Sequence, residues 1–291
     1  MSAVIINGKE IGQEIRKSVE KRVAELKEQG VTPGLAVILV GENPASQTYV
    51  RNKQKSCEAI GIYSELIKLP EEVSEEELLD QIRSLNTRES IHGILVQLPL
   101  PKHIDEDKVI ATISPEKDVD GFSPISVGRM ILGQETFLPC TPFGVMKLLE
   151  YSGIDIAGKH AVIVGRSHIV GKPMGQLLLQ KDATVTYTHS KTKDLPSFTR
   201  QADILIAAVG QPNFITKEHI KPGAVVIDVG INRDDNNKLI GDVHFAEVEQ
   251  VASHITPVPG GVGPMTITML LFNTVQSAEK SLSQDKSSKN M

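Results

Sequence analysis

With 291 residues, an apolar fraction of 40% and a charged fraction of 23%, the chain has the composition of a globular protein of one large or two smaller domains. Its 31 basic residues are outnumbered by 36 acidic ones, no basic stripe with interleaved aromatics occurs and Trp is absent, which argues against a nucleic-acid partner. No apolar run approaches the roughly 20 residues that span a bilayer and Ala3–Ile6 is too short for a signal-peptide core, so a cytoplasmic location with no membrane partner is expected.

Ile11, Ile15, Val19, Val23 and Leu26 recur at helical spacing and predict an amphipathic helix over 11–29. The apolar run Leu35–Val40, set between Pro33-Gly34 and Gly41, predicts a buried parallel strand. A helix over 46–61, a strand over 64–69, a helix opened by the Ser74/Glu77 capping box and a strand over 91–98 follow. This alternation is that of an open α/β sheet. Residues 99–142 are rich in Pro and Gly and read as an irregular functional connection with one short helical piece over 105–113. Alternation restarts with a helix opened by Thr141-Pro142 and running to Tyr151. Strands are expected at 160–164, 184–188, 204–208, 225–229 and near 254–256, then a helix over 265–280 and a frayed polar tail over 281–291.

Tyr49 and Lys53 lie one helical turn apart and project from the same face. The ring can position a ligand and the amine can react; a solvated lysine beside a half-buried tyrosine is the plainer alternative. Gln97 ends a predicted parallel strand, the edge at which open α/β sheets bind ligands, although a strand-end glutamine meeting water looks the same. Pro99 and Pro101 follow, and either can fix a rigid or cis turn that aims Gln97. In Lys117-Asp-Val-Asp-Gly121 a carboxylate can accept two parallel hydrogen bonds from a planar donor pair. A 2-amino-4-oxo-pterin ring offers such a pair. An Asx turn with a local Lys–Asp pair is the alternative, and it suits Asp118 better than Asp120.

Gly165 follows an apolar strand and leads through Lys172-Pro173 into a helix. A glycine turn feeding a helix N-terminus attracts phosphate, because free amides and the helix dipole both face the anion. The spacing is not G-x-G-x-x-G, so the turn alone is a weak fingerprint. The next strand ends in Tyr187-Thr-His-Ser190, without the acidic residue that an NAD ribose wants; Arg166 and Ser190 suit the 2′-phosphate of NADP. Val258-Pro-Gly-Gly-Val-Gly-Pro264 cannot be regular, and its glycines either admit a flat ligand close to the backbone or form a hinge. Cys57 and Cys140 read as free buried thiols of a reducing compartment, with a disulfide or a reactive thiol as the alternative. The eight histidines show no His-x-x-x-His spacing, so no metal site is expected.

Taken in order, these segments resemble the bifunctional methylenetetrahydrofolate dehydrogenase/cyclohydrolase family. The resemblance runs from about Leu35 to Val275 and is carried by Val40-Gly-Glu-Asn-Pro-Ala-Ser46, Tyr49-Val-Arg-Asn-Lys53, Gly93-Ile-Leu-Val-Gln97-Leu-Pro-Leu-Pro101 and Lys117-Asp-Val-Asp-Gly-Phe122. Pro139-Cys-Thr-Pro142, Gly165-Arg-Ser-His-Ile-Val-Gly171 and Pro257-Val-Pro-Gly-Gly-Val-Gly-Pro-Met-Thr266 complete it. It implies an α/β protein of two open α/β domains with a cleft between them. Residues 1–140, completed by a C-terminal helix over 265–291, would bind folate and carry the catalytic groups; residues 141–264 would form a Rossmann-like NADP-binding domain. The implied activities are oxidation of 5,10-methylenetetrahydrofolate with NADP and hydrolysis of the methenyl product to 10-formyltetrahydrofolate.

By the same resemblance Lys53 is the reacting lysine, Tyr49 the stacking tyrosine, Gln97 the glutamine that tunes the amine and Asp120 the pterin-binding aspartate. Gly165, Arg166, Ser167, Ser190 and Ile231 fall on nucleotide contacts, Pro259, Gly260 and Gly261 on the folate site, and a homodimer is implied. A lysine beside a methenyl cation has its ammonium form disfavoured by like charge, which suits a general acid/base. Two positions depart from the family pattern: Ser126, where Asn is common, and His244, where Asp is usual. A regulatory NADP binder without catalysis would lack Lys53, Gln97 or Asp120, and all three are present. A shikimate-dehydrogenase-like oxidoreductase would lack the Tyr49/Lys53 pair joined to the Pro-Gly-Gly turn. A dehydrogenase with only the first activity is the nearest alternative within the family, and the lysine–glutamine–aspartate set argues against it.

Overall fold

The structure is a computed structural model that describes residues 2–289; Asn290 and Met291, the end of the expected polar tail, lie outside the described residues. The chain divides into two compact units, one formed by Glu14–Leu138 with the chain from Ile267 onward, the other by Pro139–Thr266 with the chain up to Gln13.

The first unit is built on a parallel sheet in which Gly34–Val40 lies between Tyr63–Leu69 and Gly93–Val96. All seven residues of Gly34–Val40 are buried, the uninterrupted apolar run of a central parallel strand covered on both faces. Ile38, Ile94 and Val96 pack with Leu78, Ile82 and Leu85 of the Glu75–Thr87 helix. That helix starts where the sequence predicts: the Ser74 hydroxyl accepts from the Glu77 N–H at 3.2 Å and the Glu77 carboxylate accepts from the Ser74 N–H at 3.0 Å. Ser74→Ala is expected to destabilise this unit by about 1 kcal/mol in chemical denaturation, the usual cost of losing a cap.

Several elements differ from expectation. The helix expected from Ser46 begins at Pro44, because Asn43 Oδ1 caps the Ala45 and Ser46 N–H groups. The strand expected over 91–98 is confined to Gly93–Val96, since the Ile91 N–H turns back to the Arg88 carbonyl. Within the stretch read as irregular, Pro124–Ile131 is a helix capped by Ser123; two turns are too short for periodicity to reveal. The last helix spans Val262–Lys289. Residues 281–289, expected to fray, continue it because they contain neither Gly nor Pro to stop it.

The second unit contains a six-stranded parallel sheet in the order Val4–Ile5, His254–Ile255, Val225–Asp228, Ile204–Ala207, His160–Val164, Thr184–Thr188. The chain leaves His160–Val164 for the edge strand Thr184–Thr188 and then returns to the other side with Ile204–Ala207. Doubly wound sheets bind ligands at the carboxyl ends of the strands beside such a reversal. The first unit has the same reversal around Gly34–Val40. Val4–Ile5, unread as a strand and assigned with residues 1–140, pairs instead with His254–Ile255. A two-residue strand carries no periodic signal, and its partner lies at the far end of the chain.

Candidate active site

On the Pro44–Ala59 helix the buried positions are Ser46, Val50, Lys53 and Cys57, spaced by four, three and four residues. Lys53 therefore occupies the inward stripe of an amphipathic helix, where an amine needs a partner. Its Nζ donates to Gln97 Oε1 at 3.0 Å. Gln97 leaves the carboxyl end of Gly93–Val96, and its Nε2 donates to the Leu98 carbonyl at 2.7 Å. That second bond fixes the amide, so the face turned to Lys53 is its oxygen. The Leu98–Pro99 peptide is cis, one of the two forms the sequence allowed. Tyr49 is half-buried one turn before Lys53. Cys57 on the same stripe is fully buried, and burial pushes its thiol up to about 12, which makes it a packing residue rather than a nucleophile. Cys140 is also a buried free thiol.

Asp118 and Asp120 are separated by role. Asp118 is buried, and its carboxylate accepts from the N–H groups of Gly121 at 3.1 Å, Phe122 at 3.2 Å and Ser123 at 2.8 Å. Burial raises its pKa from the ordinary carboxylate value, opposed by the Ser123 and Phe122 N–H groups and the Ser126 hydroxyl. Asp118 is thus the Asx-type organiser of the loop, as its alternative reading held. The local Lys–Asp pair of that alternative is not what Lys117 forms: its Nζ donates to the Leu85 and Arg88 carbonyls. The loop lies along Gly93–Val96 through the Ile94 N–H to the Lys117 carbonyl, and Asn273 Nδ2 holds the Val119 carbonyl at 2.8 Å. Asp120, half-buried, is carried on this fixed backbone. Ser126 sits inside the same network, bonded through its hydroxyl to Ser123, so this departure from the family pattern falls on loop support.

In the second unit Gly165 ends the His160–Val164 strand at φ 129°, and a Cβ there would collide with the Ala208 carbonyl oxygen. Only glycine lets the two strand ends approach in this way. A Cβ on Gly171, the first residue of the Gly171–Leu179 helix, would lie 2.6 Å from the Gly165 carbonyl oxygen. The helix N-terminus is therefore seated directly on the Gly165 turn, a position suited to an anion. The Ser167 hydroxyl accepts from the Val170 and Gly171 N–H groups, each at 3.2 Å, and a hydroxyl that accepts twice keeps its proton to donate. Val164 and Thr188 are register partners, so Arg166 and Ser190, both exposed, leave adjacent strands at equivalent points. Ile231, 50% exposed, follows the Val225–Asp228 strand at the same edge. These residues fit a dinucleotide phosphate site.

Pro259, Gly260 and Gly261 form a turn with a cis Val258–Pro259 bond and Gly260 at φ 113°. The Gly260 carbonyl accepts from the Lys9 N–H at 3.1 Å, so the turn rests on the start of the Gly8–Glu28 helix. Asn43, Asn273, Asp228 and Asp242 were not singled out by sequence. Asn43 before Pro44 is a readable cap signal; Asn273 and Asp242 act on distant segments and leave no local trace, and Asp228 joins its near partner Gly230 to the distant Asp242 and Val243 N–H groups. Among the described residues no group of three or more His, Cys, Asp or Glu is placed to hold a metal ion.

The tetrahydrofolate dehydrogenase/cyclohydrolase catalytic domain matches residues 6–120 and the NAD(P)-binding domain of the same family matches residues 139–282. The bifunctional protein FolD of Lysinibacillus sphaericus is 85% identical over 97% of this chain and 99% of its own length. The crystal structure of the bifunctional FolD methylenetetrahydrofolate dehydrogenase/cyclohydrolase of Campylobacter jejuni superposes with a TM-score of 0.94 at 53% identity, covering 96% of this chain and 99% of that one. The Trypanosoma brucei enzyme, complexed with NADP cofactor and inhibitor, gives a TM-score of 0.93 at 42% identity over 97% of this chain and 99% of its own. With both domains matched in order and relatives covered along nearly their whole length, the chain belongs to the tetrahydrofolate dehydrogenase/cyclohydrolase family.

Proposed function

We propose that this chain oxidises 5,10-methylenetetrahydrofolate to the 5,10-methenyl form with NADP and hydrolyses that product to 10-formyltetrahydrofolate. The observation that carries the reading is Lys53, buried on a helix stripe and held at 3.0 Å by a neutral amide whose orientation is itself fixed. Bound NADP would supply the acceptor for a hydride from the methylene carbon, which leaves the folate as a delocalised cation. In hydrolysis, water adds to the methenyl carbon and loses a proton, and a proton goes to the departing ring nitrogen as the carbon–nitrogen bond breaks. Lys53 is the group that exchanges these protons, and Gln97 keeps it in place without supplying the negative charge that would trap it as ammonium. Tyr49 positions the substrate, and Asp120 accepts the paired donors of the pterin. Gly165, Arg166, Ser167, Ser190 and Ile231 hold the nucleotide, and Arg166 with Ser190 select NADP over NAD. Pro259, Gly260 and Gly261 contact the folate. The protein acts as a cytoplasmic homodimer; no described helix is long and apolar enough to cross a membrane.

The test follows the methenyl-folate absorbance band while the purified protein turns over methylenetetrahydrofolate, with NADP and with NAD separately. NADP-dependent turnover, together with decay of supplied methenyl-folate above its uncatalysed rate, is expected. Absence of both would refute the reading. Asp118→Asn tests how the aspartate loop is held. An amide in place of a carboxylate must turn its NH₂ toward N–H donors, so the loop loosens and KM for methylenetetrahydrofolate is expected to rise about tenfold. An unchanged KM would show that Asp118 does not support Asp120.

A further inference from the structure

The second unit contains two buried carboxylates that the reaction chemistry does not use. Asp242, with no exposed surface, accepts four hydrogen bonds: from the N–H groups of Val209 at 2.6 Å, Gly210 at 3.0 Å and Gln211 at 3.0 Å, and from Asn232 Nδ2 at 2.9 Å. Asp228, 3% exposed, accepts from the N–H groups of Gly230 at 2.9 Å, Asp242 at 3.0 Å and Val243 at 2.9 Å. The two are interlocked, because a Cβ on Gly230 would collide with the Asp242 carboxylate and a Cβ on Gly241 with that of Asp228.

What this bracket holds lies at the ligand edge of the sheet. Val209–Gln211 leaves the strand Ile204–Ala207 just after Ala208, whose carbonyl faces Gly165. Gly230 and Asn232 flank Ile231, so a large β-branched side chain is held half-exposed between two anchored neighbours. A side chain whose two neighbours are locked by hydrogen bonds is held in one place, as the supporting shell of a binding site requires.

We propose that Asp242 is a positioning residue for the nucleotide. It clamps Val209–Gln211 and Asn232, and so sets Ile231 and the neighbouring backbone in the shape that receives NADP; it takes no part in hydrolysis. This rests on the reading that the edge around Gly165 and Ile231 binds the nucleotide. Every partner of the Asp242 carboxylate is a donor, so Asp242→Asn, though the same size, must turn its NH₂ against two of them.

The experiment measures three quantities on purified full-length protein: KM for NADP, kcat of oxidation at saturating NADP, and the rate at which supplied methenyltetrahydrofolate is hydrolysed without nucleotide. Asp242→Asn is expected to raise the NADP KM about tenfold or more while kcat and the hydrolysis rate each stay within about threefold of wild type. A purely architectural role would lower both activities together, and that result overturns the proposal, as does an unchanged NADP KM. Should Asp242→Asn fail to fold, Asn232→Ala decides the matter: it removes one donor and no backbone bond, and a NADP KM raised about threefold supports the proposal whereas an unchanged one overturns it. Wild-type protein that hydrolyses methenyl-folate but does not bind NADP would instead refute the nucleotide reading itself.

Discussion

Replacing Lys53 by Met is expected to slow hydrolysis of methenyltetrahydrofolate by about a hundredfold to ten-thousandfold, the range contributed by a positioned acid/base. Met is close to Lys in length and is apolar, so it fills the space on the buried stripe of Pro44–Ala59 between Val50 and Cys57. The variant should therefore fold, and loss of activity would report lost chemistry rather than a cavity. NADP affinity should stay within about threefold of wild type, because Lys53 is not among the residues proposed to hold the nucleotide. Decay of the methenyl absorbance band and a NADP titration check the two halves. Hydrolysis at the wild-type rate would remove Lys53 from the mechanism. Gln97→Glu sharpens the test: a carboxylate 3.0 Å from the amine would hold its proton by charge, and hydrolysis at neutral pH should fall although the hydrogen bond survives.

Arg166→Ala should raise KM for NADP by about tenfold to a hundredfold and leave KM for NAD within about twofold, since a charge-assisted bond to a phosphate contributes about 1.5–3 kcal/mol. The sign follows from the strand ends. Arg166 and Ser190 both lie two residues beyond the register pair Val164 and Thr188, both are exposed, and no acidic residue lies between Thr188 and Lys193. An NADP/NAD discrimination ratio measured at low salt gives the cleanest reading, because exposed charges are screened as ionic strength rises. Equal loss with both nucleotides would mean that Arg166 supports the turn and does not select the 2′-phosphate.

The strand-end residues proposed for the two sites, Gln97 and Gly165, lie at the same kind of place, the carboxyl end of a parallel strand where the order of the sheet reverses. In the first unit Gln97 leaves Gly93–Val96 and meets the helix that follows Gly34–Val40. In the second, Gly165 leaves His160–Val164 and abuts the end of Ile204–Ala207. One architectural rule, applied twice, places Gln97 and Gly165 at strand ends, while Tyr49 and Lys53 come from the Pro44–Ala59 helix that follows the central strand of the first unit.

Much of this was legible from local signals. The Ser74/Glu77 capping box, the apolar run before Gly41, the one-turn spacing of Tyr49 and Lys53 and the missing acid after Thr188 are written within a few residues, because caps, strand patterns and helix faces depend on near neighbours. The family resemblance then named the reaction. Tertiary structure alone decided the rest. Val4–Ile5 became a strand because His254–Ile255 offered it an edge; Asn273 became a loop support because Val119 lay within reach; Asp242 became a clamp because two loops left their strands on either side of it. Buried polar groups must find partners wherever the fold brings them, and that requirement is set by distances through space, which sequence spacing does not record.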